Sequence, residues 1–170
     1  MGVSSRGAKE NRPREGRFAK GRSLPVSLMF LGQHFPRLDD KGRMILPAKF
    51  REALAPGVVL TKGQEGCLYI YPADRFAVLT EELSKLPVTS KSARDYNRVL
   101  FSGASDEIPD KQGRVTVPSQ LRDYAGLTKE LVVIGNNTHL EIWDLHTWNT
   151  YLSEKESSFS DISEGVLPPT

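Results

Sequence analysis

The chain has 170 residues, 38% of them hydrophobic, and a net charge of +2, which suits one ordinary globular domain or two small intertwined ones. Its single cysteine, Cys67, excludes an internal disulfide framework and a clustered thiolate metal site, and it is typical of a protein from a reducing cytosol. No run of about 18 apolar residues is present, so we expect no membrane span.

Residues 1–28 carry most of the positive charge. Seven Lys or Arg against two Glu give this segment a net charge of +5, which leaves the rest of the chain at −3. The segment lacks apolar periodicity and is rich in Gly, Arg and Ser, which predicts a disordered basic extension. It is either an arm that gathers around phosphate backbones or a solvated extension ahead of a true start at Met29. Because the rest is acidic overall, nucleic-acid contact must come from a few placed residues.

From Met29 onward the chain repeats itself. The stretch LDDKGRMILPAKFREAL at 38–54 matches PDKQGRVTVPSQLRDYA at 109–125 with a constant offset of 71. The likeness continues over 58–72 and 131–144, where apolar runs on both sides of a turn predict a hairpin. The chain is therefore predicted to hold two copies of one small module. The identities in register are Asp39, Gly42, Arg43, Pro47 and Arg51 with Asp110, Gly113, Arg114, Pro118 and Arg122.

Each copy is predicted to run strand, Asp-x-x-Gly-Arg turn, strand, short helix, hairpin and helix. Residues 44–46 and 115–117 favour short strands. Pro47 and Pro118 end those strands and suit the first turn of a helix. Apolar residues at helical spacing then predict an inward stripe on each short helix: Phe50, Leu54, Leu121, Tyr124 and Ala125.

These patterns divide the chain into a first repeat at 33–75, a helical connection at 76–103, a second repeat at 104–147 and a flexible tail at 153–170. The connection contains a helix-like stretch at 91–101. A module of about four short strands buries too little apolar area to be stable alone. We therefore expect the copies to exchange hairpins about a pseudo-twofold axis and to close one barrel. The predicted fold class is α+β, mainly β with short helices.

Three stretches carry a family resemblance: MFLGQHFPRLDDKGRMILPAKFR at 29–51, the second Asp-x-x-x-Arg at 110–114 and LEIWD at 140–144. They closely resemble the MraZ family, and the resemblance runs from Met29 to about Leu152. It implies a duplicated AbrB/SpoVT-like fold, a swapped-hairpin (double-split) β-barrel that assembles into rings. It also implies a cytoplasmic, nucleoid-associated transcriptional regulator, usually a repressor, without cofactor or small-molecule substrate. Its partner would be double-stranded promoter DNA with G-rich direct repeats, upstream of its own division and cell-wall operon.

Carried onto this chain, the resemblance places the DNA-binding residues at Lys41, Arg43 and Arg114. An arginine beyond a tight turn can match guanine O6 and N7 with its guanidinium fork. The two copies are not equivalent, because Gln112 stands where the first copy has Lys41. Lys111 offers its charge one position earlier, as a possible phosphate contact.

A structural role is the alternative for the turns. Asp39 and Asp110 are predicted to cap them, Gly42 and Gly113 to supply positive φ, and each arginine to pair with the aspartate four residues earlier.

Two further arginines, Arg51 and Arg122, lie on the short helices, where they contact phosphate or form an intramolecular ion pair. A monomer with two or three base contacts binds DNA weakly, so a ring that multiplies the contacts is expected. Phe30 and Leu31 are candidate exposed apolar residues for the contacts between subunits.

The sequence shows no catalytic constellation. The three histidines, His34, His139 and His146, lack the spacing of metal ligands, so no metal site is predicted. Asp39 and Asp110 could converge as an acid/base pair, but the neighbouring arginines would hold both ionised. The chain is therefore predicted not to be an enzyme. A third hypothesis is an antitoxin-like or protein-binding module, although the short acidic tail is a poor toxin-covering peptide.

Overall fold

The computed structural model describes residues 29–166, apart from the side chains of 163–165. The predicted extension at 1–28 and the last four residues of the predicted tail lie outside this range. The strands are β1 (Gln33–His34), β2 (Arg43–Ile45), β3 (Val58–Lys62), β4 (Leu68–Pro72), β5 (Ser105–Glu107), β6 (Arg114–Thr116), β7 (Leu131–Asn136) and β8 (His139–Asp144). The helices are α1 (Arg51–Leu54), α2 (Ala73–Ser84), α3 (Lys91–Ser102), α4 (Ser119–Tyr124), α5 (Leu145–Glu156) and α6 (Phe159–Val166).

Six strands form one antiparallel sheet in the order β1-β7-β8-β4-β3-β5. The hairpins β3–β4 and β7–β8 meet at its centre, where β4 pairs with β8 and Leu68 lies opposite Ile142. The outer strands change places: β1, from the first repeat, pairs with β7, and β5, from the second, pairs with β3. Each repeat therefore completes the hairpin of the other.

The remaining strands, β2 and β6, form a separate antiparallel ladder between the two repeats. Met44 lies opposite Val115. These two residues are related by the sequence offset of 71, so a pseudo-twofold axis passes through this pair. The ladder continues at both ends, because Leu46 N donates to Gly113 O and Val117 N donates to Gly42 O, each at 2.8 Å.

Both repeats contribute to one hydrophobic core. Met44 and Val115 point inward from the ladder, and alternate residues of the large sheet meet them. A smaller cluster lies on the opposite face of the sheet under α5, where the rings of Trp143 and Trp148 are 5.3 Å apart. The main core comprises Phe30, Leu38, Met44, Leu46, Phe50, Leu54, Val58, Leu60, Leu68, Ile70, Val115, Val117, Leu121, Ala125, Leu131, Val133, Leu140 and Ile142.

The predicted α+β class, with mostly antiparallel strands and short helices, is confirmed. The predicted closed barrel is not found. The strand pairings of the described residues leave β1 and β5 at opposite ends of the six-stranded sheet. The three-residue strands β2 and β6 pair with each other instead of joining that sheet. The strand pairings of the described residues therefore do not form a closed barrel.

Helices occupy much of the remaining chain. Helices α2 and α3 follow β4 and precede β5 in the chain. The Thr61 hydroxyl joins α3 to the sheet by donating to Leu100 O at 2.7 Å. The predicted flexible tail at 153–170 includes the end of α5 and all of α6. Helix α5 begins where Asp144 accepts hydrogen bonds from the next turn, and Trp148 anchors it on the sheet. No helix in the described part is long and apolar enough to cross a membrane.

The burial of Phe30 and of Tyr124 differs from what the sequence predicted. Phe30 is only 2% exposed, because its ring packs edge-on against Phe50 at 5.0 Å, so it is not a free surface contact. Leu31 is exposed. Tyr124, placed on the inward stripe of α4, is 41% exposed, and its hydroxyl donates to Gly63 O at 2.7 Å.

Candidate nucleic-acid interface

The first turn, residues 39–43, is built around one carboxylate. Asp39 Oδ1 accepts hydrogen bonds from the backbone N–H groups of Lys41 and Arg43, both at 2.9 Å. Gly42 N donates back to Asp39 O at 3.0 Å, and Gly42 has a φ of +72°, which suits glycine. A short polar side chain that bonds its own following backbone is the ordinary chemistry of such a turn.

The second turn, residues 110–114, has the same geometry. Asp110 Oδ1 accepts from Gln112 N and Arg114 N at 2.9 Å, and Gly113 has a φ of +75°. The Asp-x-x-Gly-Arg signature therefore specifies the same local structure twice.

Each turn arginine is held by its own aspartate. Arg43 Nε donates to Asp39 Oδ2 at 2.9 Å, and Arg114 Nε donates to Asp110 Oδ2 at 2.7 Å. The two arginine side chains are 28% and 29% exposed. Within the described residues, the Nη atoms of both guanidinium groups make no hydrogen bond. The ion pair thus orients the arginine through Nε and leaves the far end of the fork available to a ligand.

Both carboxylates are held in the ionised form. The backbone N–H of Arg43 is the main cause that lowers the pKa of Asp39 below its ordinary value. The backbone N–H of Arg114 lowers the pKa of Asp110 in the same way, and its guanidinium adds to the effect. Neither group is suited to proton transfer near neutral pH, because both remain charged.

The β2–β6 ladder places the two turn arginines on one surface. Arg43 lies opposite Thr116, and Ile45 lies opposite Arg114. Because alternate residues of a strand share a face, these four side chains point away from the core while Met44 points into it. The register puts the Cα atoms of the two arginines about 8 Å apart. This exposed surface is called the ladder face below.

The helix arginines cross to the other repeat. A Cβ on Gly113 would lie 2.7 Å from Cδ and Nε of Arg51, and one on Gly42 would lie 2.9 Å from Cζ of Arg122. Each helix arginine therefore packs over the turn of the opposite copy. Arg51 Nε donates to Leu46 O at 3.0 Å, whereas the buried Nε of Arg122 has no hydrogen-bond partner among the described residues. Neither residue forms an ion pair within the described part of the chain.

A family model described as "MraZ protein, putative antitoxin-like" matches residues 29–99 and again residues 100–167. The chain belongs to the MraZ family. Two consecutive matches to one family model also show that its domain is repeated.

The chain is similar to curated MraZ proteins over nearly their whole length. It is 62% identical over 140 residues to the "Transcriptional regulator MraZ" of Salinispora arenicola, which covers 82% of this chain and 99% of that protein. The protein of the same name from Micrococcus luteus is 59% identical over 140 residues, covering 82% and 98%. The one from Thermobifida fusca has the same identity and coverage.

The turn tips differ between the two repeats. Asp40 and Lys41 are exposed at the first tip, and Lys111 and Gln112 are exposed at the second. Of the candidates taken from the sequence, the structure brings Arg43 and Arg114 onto one surface. It places Arg51 and Arg122 behind the turns rather than beside those two arginines.

Two surface residues of this MraZ chain were not among the candidates. Ile45 and Thr116 lie on the ladder face between and beside the arginines. Ile45 is 46% exposed although it is apolar. The alternation within Arg43–Ile45 already put Ile45 on the arginine face, but only the pairing of β2 with β6 puts it opposite Arg114.

Proposed function

We propose that this MraZ-family chain is a sequence-specific, DNA-binding transcriptional regulator, usually a repressor, and not an enzyme. The observation that carries the proposal is the ladder face, where Arg43 and Arg114 lie diagonally across the two strands and their Nη atoms make no hydrogen bond within the described residues. The name "Transcriptional regulator MraZ" of the relatives supports it.

The two-stranded architecture of the ladder is suited to the major groove. That groove admits a two-stranded β-ribbon, and β2–β6 is such a ribbon with one face buried and one face exposed. The fork of each arginine would reach O6 and N7 of a guanine, which gives a preference for G-rich sites. Because the aspartate already orients the guanidinium, less side-chain entropy is lost on binding.

Phosphate contacts would surround this ribbon. Both turn tips expose a lysine. We assign Lys41 to DNA binding together with Arg43, and Lys111 to possible phosphate contact. Arg51 and Arg122 lie further back, and we assign them possible phosphate contact in addition to their packing on the turns.

We also propose the swapped-hairpin, double-split organisation, with repeats at 33–75 and 104–147 joined by a helical connection at 76–103. The exchange of β1 and β5 between the repeats and the central β2–β6 ladder support it.

One ribbon of three-residue strands reads too few base pairs for high specificity. We therefore propose a ring of identical subunits that engages several G-rich direct repeats at once and gains effective concentration. The target would be the promoter of its own division and cell-wall operon, in the cytoplasm at the nucleoid. Leu31 remains an exposed candidate for the contacts between subunits.

The decisive experiment removes both turn arginines. Arg43→Ala with Arg114→Ala should lower affinity for the chain's own upstream DNA by at least about 30-fold, since each base contact contributes about 1 to 3 kcal/mol. Thermal stability should hardly change, because both ion pairs lie at the surface. A mobility shift with competitor DNA measures the affinity.

Arg98→Ala is the matched control. Arg98 is also an arginine paired with a nearby aspartate, Asp95, but it lies on α3. It should bind like the wild type. If a folded Arg43→Ala/Arg114→Ala protein bound this DNA as tightly as the wild type, the ladder face would not be its DNA-binding surface.

An antitoxin-like, protein-binding role is the second candidate, and the description of the matching family model favours it. Salt separates the two functions. Binding to promoter DNA should weaken steeply as salt rises, because phosphate contacts release counterions. Failure to bind promoter DNA at low salt, together with a salt-insensitive complex with a protein, would support the second candidate.

A further inference from the structure

The ladder face is built on a pseudo-twofold axis, but its side chains do not obey that symmetry. The axis passes through the Met44–Val115 pair, and it exchanges Arg43 with Arg114. The same operation exchanges Ile45 with a different residue, Thr116. The backbone of the ribbon is therefore symmetric while its outward chemistry is not.

The side chains at the turn tips also differ between the two repeats. Asp40 in the first turn corresponds to Lys111 in the second, and Lys41 corresponds to Gln112. All four side chains are exposed. None of the four forms a side-chain ion pair within the described part of the chain. Ion pairing within the described residues therefore does not account for the difference.

A symmetric ribbon would read a palindromic sequence, since protein symmetry is mirrored in the site. We propose that Ile45 and Thr116 are specificity-determining residues and that, with the unequal turn tips, they set the direction in which this ribbon lies on each direct repeat. This inference rests on the proposed function, because it assumes that the ladder face enters the major groove.

The cross-strand neighbour of each residue determines which base that residue would contact. Ile45 lies directly opposite Arg114, so its base lies beside the guanine that Arg114 contacts. An apolar side chain in the major groove favours the C5-methyl group of thymine. Thr116 lies opposite Arg43. Its hydroxyl donates to or accepts from either base of a pair, and its single methyl offers a thymine methyl less apolar contact than the side chain of Ile45 does. The ribbon then favours thymine next to guanine more strongly on the side of Ile45 than on the side of Thr116.

Selection from a pool of random DNA duplexes tests this with the full chain. The wild type should enrich a non-palindromic sequence with guanines and one adjacent thymine. Ile45→Thr should reduce the thymine preference by about fourfold, the value of one lost methylene-sized contact, while the guanine preference persists. Threonine is compatible with an exposed strand, and circular dichroism checks the fold.

Thr116→Ile is an independent variant that adds a contact instead of removing one. It should create a second thymine preference beside the guanine read by Arg43. Ile162→Thr is the matched control, because Ile162 is 44% exposed, close to the 46% of Ile45, and lies on α6. This control should select the same sequence as the wild type.

A symmetrised ribbon tests the direction of binding. Asp40→Lys, Lys41→Gln and Ile45→Thr together make the first side equal to the second. This variant should select a palindromic core in place of the asymmetric one. An unchanged asymmetric sequence from the folded variant would overturn the inference while leaving the proposed function intact. No enrichment by the wild type itself would overturn the proposed function and this inference with it.

Discussion

At the scale of single residues, the turn aspartate has two structural tasks. One oxygen of Asp39 closes the turn through backbone N–H groups, and the other holds the arginine at the start of β2. Asp110 repeats both tasks at β6. The acidic residue beside a proposed DNA-reading arginine thus positions that arginine instead of cancelling its role.

These contacts make stability depend on pH in a defined direction. The pKa values of Asp39 and Asp110 are lowered in the folded state, so their stabilising contribution is full above the unfolded value of about 3.9. It is lost as the pH falls through the lower folded values. Asp39→Asn with Asp110→Asn should therefore flatten the fall in melting temperature between about pH 5 and pH 2.

Melting followed by circular dichroism across that pH range measures the effect. Asp106→Asn with Asp161→Asn removes the same charge from exposed sites on β5 and α6 and is the control. If the melting temperature of the Asp39→Asn/Asp110→Asn variant fell as steeply with decreasing pH as that of the wild type, ionisation of these carboxylates would contribute nothing to stability.

At the scale of elements, the β2–β6 ladder depends on what lies beneath it. Three-residue strands are too short to be stable as an isolated hairpin-like pair. Met44 and Val115 are almost fully buried, and they join the ladder to the core shared by both repeats. Tertiary packing therefore stabilises the element that carries the arginines.

Truncation of the central residue should destabilise the whole chain. Met44→Ala should lower the free energy of unfolding by about 2 to 5 kcal/mol, through lost burial and the cavity that remains. Urea unfolding measures it. Val78→Ala, at an exposed position on α2, should change the value by less than about 0.5 kcal/mol.

Two probes should report one transition in that experiment. Both tryptophans of the chain, Trp143 and Trp148, lie in the smaller cluster, so fluorescence follows that cluster while circular dichroism follows the backbone. Coincident curves are expected because the two repeats share one core. Separate transitions would mean that the ladder and the α5 cluster unfold independently.

At the scale of the whole molecule, neither repeat is complete without the other. The first repeat obtains partners for β1, β2 and β3 from β7, β6 and β5 of the second. The two small modules suggested by the sequence thus share strand pairings and one core. This exchange gives a physical reason why the module occurs as a duplicate in a single chain.

A half chain should therefore not fold as a monomer. Residues 29–103 alone should be unfolded, or should pair with a second copy that replaces the missing strands. Light scattering with circular dichroism distinguishes these states. Addition of residues 104–166 is the control and should restore the native spectrum, whereas a folded, monomeric 29–103 fragment would contradict the exchange.

Much of this could be predicted from the sequence because it depends on neighbouring residues. The offset of 71 revealed the duplication, and Asp39, Gly42 and their counterparts specify a turn by local hydrogen bonding and backbone conformation. Alternation in the short strands also indicated which residues share a face. The α+β class follows from the same local patterns.

Tertiary structure decided which distant segments meet. No local pattern states that β2 pairs with β6 in the register that sets Ile45 opposite Arg114. Nor does one show that Arg51 packs over Gly113, or that the core buries Phe30. That the six-stranded sheet stays open is likewise decided by which distant strands pair. Pairing across about 70 residues is selected during folding by burial of the shared core and by competition among strands, and a local sequence pattern contains neither.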